Sequence, residues 1–216
     1  MENWTRNGLT SRLLAVMAAG ILAGWGLSPA GAWAGAPTDA VKSTVSQVIK
    51  TLEDAELKKP GRAEERRKAL ESIIGERFNY SEMAKRALGA QWGKLQDKDR
   101  KEFVDLFQRL LSASYADKIE GYTGEQVSYL SERKEENYAE VRTKVSSGKA
   151  EIPLDYRMIS NSDEWRVYDI VIDGVSLVKN YRGQFEKILR ESSYPDLVDK
   201  LRQKVEKTKS GQPESK

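Results

Sequence analysis

Residues 165–189, WRVYDIVIDGVSLVKNYRGQFEKIL, constrain the fold more than any other stretch. Val167, Tyr168, Ile170, Val171 and Ile172 have the character of a buried strand. Apolar side chains point both ways, so both faces of that strand are expected to be covered. Gly174 interrupts the run, as glycine does where a strand bends, bulges or lets another group approach. Val175, Ser176, Leu177 and Val178 resume it. The period then changes, and Tyr181, Phe185, Ile188 and Leu189 fall on one helical face. The rest of the chain has to supply whatever packs on this strand–bend–helix unit.

From Gln126 onward the apolar period is two. A short strand is expected near residues 127–130. In 138–146, Ala139, Val141, Thr143 and Val145 share one face, with Glu140, Arg142 and Lys144 on the other. In 151–159, Ile152, Leu154, Tyr156 and Met158 alternate with Glu151, Asp155 and Arg157. Ser147-Gly148 and Asn161-Ser162-Asp163 supply turns. Pro153 fits an unpaired or bulged position. The result is an antiparallel meander of about four strands, polar on one face and apolar on the other. Helices must cover the apolar face, so the fold class is α+β, a twisted sheet under N-terminal and C-terminal helices.

The helices are legible too. Thr38 or Asp39 can cap the first, with Pro37 just before it, and Val41, Val45, Val48, Leu52 and Ala55 repeat at helical spacing. Pro60-Gly61 breaks it. A second helix carries a solvated charged face, Arg62 and residues 64–68, with Leu70, Ile73 and Ile74 inward, and Gly75 weakens or ends it. A short helix over 81–88 stops at Gly89, and Trp92-Gly93 turns the chain. Asp97 reads as the N-cap of the longest helix, which runs to Glu120 and stops at Gly121. Its stripe of Phe103, Leu106, Phe107, Leu110 and Leu111 gives way to Ser112, Ala113, Ser114 and Ala116. That shrinkage means either close helix packing or a helix whose second half borders a space. A last helix over 195–207 turns Leu197, Val198, Leu201 and Val205 inward, and the polar 207–216 is expected to be disordered.

At the start, Arg6 and Arg12 precede an apolar run over 13–27 and an A-x-A site, Ala32-Trp33-Ala34. This reads as a secretory signal peptide over 1–34, cleaved after Ala34. A single domain then fills 35–206. Cleavage removes Glu2, Arg6 and Arg12 and lowers the net charge from +3 to +2. With 36 basic and 33 acidic residues there is no excess of cations to neutralise phosphates, which argues against a nucleic-acid partner. The chain has neither cysteine nor histidine, which excludes disulfides, thiolate nucleophiles, Cys/His zinc sites and Ser-His-Asp triads. No phosphate loop or metal-ligand spacing is present, so no metal is expected.

Asp155 and Asp169 are the carboxylates most firmly placed by the strand pattern. They are either a general acid/base pair in the cavity of a cone-shaped fold, of ketosteroid-isomerase type, or partners of strand arginines such as Arg142, Arg157 or Arg166. The arginine pairing is the favoured reading.

As a set, two stretches resemble the MlaC / toluene-tolerance family of periplasmic phospholipid-binding proteins. They are FNYSEMAKRALGAQWGKLQDKDRKEFVDLFQRLLSASYADKIEGY and residues 165–189. The most specific pieces are Ala87-Leu88-Gly89 with Trp92, the helix over 100–115, and Tyr168-Asp169 through Gly174-Val175-Ser176-Leu177. The resemblance spans about 41–205. It implies a periplasmic, non-enzymatic carrier, an auxiliary component of the Mla ABC transport system, whose sheet and helices enclose an apolar lipid pocket. It also implies partners: an inner-membrane ABC transporter complex with an MCE-domain subunit, and an outer-membrane lipoprotein complex. Carrying lipid between them would maintain outer-membrane lipid asymmetry. The ligand is a glycerophospholipid, with no other cofactor. The charged segment 131–137 is not matched to the family, and hopanoid transport by related members stays open as an alternative.

The physics of such a ligand is demanding. A diacyl lipid carries on the order of 30 methylenes, so exposing its chains to water would cost on the order of 20 kcal/mol. Apolar, weakly directional contacts suit a carrier that must also let go. With that resemblance in hand, the expected lining is Phe107, Leu111, Tyr115, Val141, Tyr156, Tyr168, Ile170, Val175, Leu177 and Tyr181.

Overall fold

The computed structural model describes residues 36–148, 150–161 and 164–209. The expected signal peptide, its cleavage site, the Ser162-Asp163 part of the second turn and residues 210–216 lie outside them. Five strands form one antiparallel sheet in chain order: β1 (Gln126–Glu135), β2 (Tyr138–Ser147), β3 (Ala150–Asn161), β4 (Glu164–Ile172) and β5 (Val175–Ser176). Around it lie α1 (Ala36–Glu53), α2 (Ala63–Arg77), α3 (Tyr80–Leu88), α4 (Asp97–Glu120), α5 (Leu177–Glu191) and α6 (Tyr194–Lys209), with a short 3-10 turn over Gly89–Lys94.

The expected α+β architecture is what is seen, with several corrections. The fifth strand exists because Asp173 and Gly174, both with positive φ, make a two-residue hairpin turn between Ile172 and Val175. The first strand is ten residues long instead of four. The charged segment 131–137 is mostly strand, turning at Glu136, which also has positive φ. Asp97 is the first residue of α4, and Gln96 occupies the cap position. Gly75 lies inside α2, which runs on to Arg77. Pro37 sits within the first turn of α1, where its missing N–H costs nothing. Lys207 belongs to α6.

Register fixes the faces of the sheet. Ala139, Val141 and Thr143 are buried along β2, and Val141 opposes Tyr156, which opposes Ile170. These residues define an inner face, and α1 lies over it: Val41 is buried against Ala139, Val141, Met158, Trp165 and Val167. Glu132 helps to hold α1 there. Its carboxylate accepts from the Thr38 N–H at 2.9 Å and the Thr38 hydroxyl at 2.5 Å. The hydroxyl expected to cap α1 therefore docks it on the sheet. Pro153 presents its carbonyl to the Asp173 N–H, and pairing with β4 begins only at Leu154, so its missing donor falls where β4 has run out.

Covered faces also meet at β4. Phe78 bridges to Val167, and the Asn79 N–H donates to the Val167 carbonyl, sealing the strand's free edge. On the outer face, the Arg86 guanidinium of α3 lies 4.1 Å from the Tyr168 ring, close to Tyr138. Helices thus wrap the β4 edge onto both faces, as its two-sided apolar pattern requires. Gly89 ends α3 at positive φ, and a Cβ there would stand 3.2 Å from Arg182 Nε. This explains the glycine in Ala87-Leu88-Gly89: the first two are buried and the third must lack a side chain.

Candidate functional site

Two apolar clusters make the core, and they are separate. The larger is helical: Met83, Leu88, Phe103, Phe107, Leu110, Tyr181, Phe185, Leu197 and neighbours from α3–α6. The smaller joins α1 to the inner sheet face. Among the described residues, Phe78 is the half-buried side chain that packs against both. Half-buried aromatic and aliphatic side chains flank each cluster, and the boundary between the two sets, the seam, is the candidate site.

Nine of the ten expected lining residues belong to the two clusters or flank them. Phe107, Leu111, Leu177 and Tyr181 belong to the helical cluster, and Tyr115 and Tyr168 pack half-buried on its margin. Val141 belongs to the sheet cluster, with Tyr156 and Ile170 on its margin. Val175 joins neither and is 54% exposed. Tyr168 differs from the rest, since its ring faces Arg86 and Tyr138 on the outer face. Burial along the inner face falls in one direction. Met158 and Val167 are fully buried, Tyr156 and Ile170 half-buried, Leu154 and Ile172 half-buried, and Ile152 and Val175 exposed.

The tyrosines report on this surface. Burial pushes the Tyr156 phenol up, helped by the neighbouring Tyr129, although part of the side chain stays accessible. Burial likewise lifts Tyr115 to about 12, with Tyr181 adding to it. Tyr181 is lifted by burial and held back by a hydrogen bond with Ser114. Ser112, Ala113 and Ser114, where α4 loses its large side chains, are half-buried, as is Tyr115 after them.

Aromatic residues outside the expected set flank the same clusters. Phe78 and Tyr80 stack at 5.8 Å, and burial lifts the Tyr80 phenol to about 12. Tyr129 projects from β1 beside Tyr156. Phe78 was findable: it precedes Asn79, whose side chain accepts from the Glu82 N–H, and this is the aromatic-before-cap pattern of a helix start.

Two hollows lie elsewhere. An open groove of about 780 Å3 runs between α4 and α6, rimmed by Lys101, Glu102, Asp105, Arg109, Arg202 and Glu206. A shallower one of about 500 Å3 lies against the end of α1. Neither contains any of the ten residues. The charged rim of the first is the wrong chemistry for an acyl chain, which gains only where it leaves water for apolar surface.

The carboxylates resolve differently from the acid/base alternative. Asp155 opposes Arg142 and Asp169 opposes Arg157, so both belong to the outer face. Burial and Glu140 raise the Asp155 carboxyl while Arg142 and Arg157 pull it back. Asp169 is 4% exposed and accepts from Arg157 Nη1 at 3.2 Å, the Ser176 hydroxyl at 2.7 Å and the Val178 N–H at 3.0 Å. Neither shares a wall with Val141 and Tyr156, so the general acid/base pairing loses its geometric basis. No group of three or more His, Cys, Asp or Glu among the described residues is placed to hold a metal ion. No helix among them is long and apolar enough to cross a membrane.

Similarity to known proteins converges on one family. A solved structure of a phospholipid-binding protein from Ralstonia solanacearum, in complex with a phospholipid, superposes with a TM-score of 0.73 at 25% identity, covering 80% of this chain and 98% of that one. The intermembrane phospholipid transport system binding protein MlaC of Haemophilus influenzae is 24% identical over 131 residues, 58% of this chain and 61% of that relative's length. The family described as MlaC protein matches residues 42–203, most of the chain and nearly all of its described helices and strands, and the chain belongs to the MlaC family.

Proposed function

We propose that this protein is a periplasmic lipid carrier that holds phospholipid acyl chains in the seam between the helical cluster and the inner sheet face. The observation that carries the reading is the split core, with half-buried apolar side chains on the margins of both clusters and Phe78 packed on the two, in a chain of this family. The lining comprises Phe107, Leu111, Tyr115, Val141, Tyr156, Ile170, Leu177 and Tyr181, with Val175 at the exposed end of the inner face. Tyr168 acts from the outer face, by fixing α3 through Arg86. The lipid moves between an inner-membrane ABC transporter complex bearing an MCE-domain subunit and an outer-membrane lipoprotein complex, which maintains outer-membrane asymmetry. Residues 1–34 direct export, and 35–206 form the single lipid-binding domain. The likeness to a protein solved with a phospholipid supports the ligand class.

Native mass spectrometry of the mature protein purified from periplasm tests this, followed by lipid extraction. A stoichiometric adduct with a phospholipid mass is expected. A hopanoid mass redirects the ligand assignment. A protein that is apo, and stays apo after incubation with phosphatidylethanolamine/phosphatidylglycerol vesicles, overturns the carrier reading.

A further inference from the structure

One buried carboxylate joins the sheet to α5 without touching the seam. Asp169 Oδ2 accepts from Arg157 of β3 and from the Ser176 hydroxyl, and Oδ1 accepts from the Val178 N–H in the first turn of α5. The Ser176 hydroxyl accepts in turn from the Lys179 N–H, capping the same helix. The N–H groups of a first helical turn have no acceptor within the helix, and the helix end favours negative charge. Asp169 and Ser176 satisfy two of them, and Arg157 fixes the carboxylate from the other side. The helix leaves the sheet at a set angle as a result.

That angle matters one turn further on. Tyr181 meets Phe107 edge to face at 5.3 Å and bonds with Ser114, beside Tyr115. Leu177 is buried in the same helical cluster. The helical wall of the seam is therefore set partly by where α5 starts.

We propose that Asp169 is a positioning residue of the lipid site: by holding the first turn of α5 to the sheet it fixes the width of the seam and so the rate at which acyl chains leave. This rests on the seam being the lipid site. Asp169→Asn keeps volume and an acceptor for Val178, but turns an amide towards Arg157 or Ser176. Ser176→Ala is the milder variant, leaving the Val178 and Arg157 bonds in place.

The experiment loads the mature protein with pyrene-labelled phosphatidylethanolamine and follows its departure to phosphatidylethanolamine/phosphatidylglycerol vesicles. Amide exchange of residues 177–181 and urea midpoints are measured alongside. Leu201→Val in α6, a fully buried member of the helical cluster that is not among the lining residues, supplies a comparison for general destabilisation. Losing a charged hydrogen bond is expected to speed both exchange and lipid departure by about tenfold in Asp169→Asn, and by less in Ser176→Ala. In Leu201→Val, corrected to equal stability, departure stays within about twofold. Equal departure rates in Asp169→Asn and Leu201→Val at matched stability overturn the proposal, as does faster exchange with unchanged departure. If Asp169→Asn does not fold, Ser176→Ala decides by the same comparison. A wild type that loads no lipid overturns the carrier reading and this proposal with it, whereas normal loading with unchanged release overturns this proposal alone.

Discussion

In the helical cluster, Phe103, Phe107, Tyr181 and Phe185 meet ring to ring at centroid distances from 5.3 to 6.0 Å, and each is buried. Across the inner sheet face, equally apolar residues pass from full burial at Met158 and Val167 to 42% exposure at Ile152. The rings of the first region are closed off from water, with Phe107 and Tyr181 on the helical side of the proposed site, and the second region is left open at one end. Composition does not distinguish them, since both are built from aliphatic and aromatic side chains. The difference lies in whether a partner element arrives to cover them. In a carrier this division separates the parts that keep the fold from the parts that yield to the ligand.

Truncation in the closed region is the largest expected effect. Phe103→Ala removes a fully buried ring and leaves a cavity, which costs about 3–5 kcal/mol. Urea denaturation is the measurement, and the fraction that stays folded is expected to carry lipid at the wild-type ratio. Tyr156→Ala is the counterpart in the open region. Its side chain is covered only in part, so its removal costs about 1–2 kcal/mol, roughly the transfer energy of the part that is covered. Native mass spectrometry is expected to find most of the lipid adduct lost. If Tyr156→Ala unfolds the protein as Phe103→Ala does, or leaves the adduct intact, the two regions are one ordinary core and the comparison fails.

How far the sequence reveals this division can be judged residue by residue. The two-residue period of Ala139, Val141 and Thr143 placed the inner face correctly, because one-sided burial leaves an alternating trace. The two-sided strand at Val167–Val171 was equally legible. β1 was not. Glu132 lies directly opposite Val141 on that face, and its charge is tolerated only because Thr38, distant in sequence, supplies two donors. The last hairpin was legible but passed over: Asp173-Gly174 between aliphatic residues is a strong two-residue turn signal. The half-filled seam itself leaves no trace, because periodicity records which face is apolar and says nothing about what meets it. Asp169 reads as the partner of a strand arginine, which its bond with Arg157 matches, and only the non-local return of α5 adds its second role.

A helix cap sharpens the comparison from between the two regions. Asn79→Ala removes the side-chain acceptor for the Glu82 N–H and is expected to cost about 1 kcal/mol. The Asn79 N–H still bonds to the Val167 carbonyl, so the chain stays attached to β4. A lower thermal midpoint with an unchanged lipid ratio is expected. Lipid loss here would mean that Phe78, next in the chain and packed on both clusters, needs the cap to hold the seam in shape.

The smallest effect concerns the ionic clamp between α2 and α4. Glu120 accepts from Arg66 at 2.8 Å and from Arg67 at 2.9 Å, and Glu71 receives the Ser112 hydroxyl further along the same two helices. Burial works to raise the Glu120 carboxyl, but the hydrogen bonds and charges of Arg66 and Arg67 outweigh it and hold the group below its ordinary 4.5. A carboxyl depressed in the folded state binds its proton more readily when unfolded. Its stabilising share is therefore complete above the ordinary value and is lost as pH falls from there through the folded value. The pair is only partly screened from water, so the share is under about 1 kcal/mol. Wild type and Glu120→Gln are expected to differ by a constant amount in urea midpoint above about pH 6 and to converge as pH falls below the ordinary carboxyl range and through the folded value. Arg67 stays charged throughout this range and the other carboxylates titrate in both proteins, so their contributions cancel in the difference. Convergence accompanied by faster lipid departure in Glu120→Gln at neutral pH would make the clamp a second restraint on the helical wall. Convergence with unchanged departure leaves it a local tie between two helices, and the width of the seam then rests on α5 and the sheet.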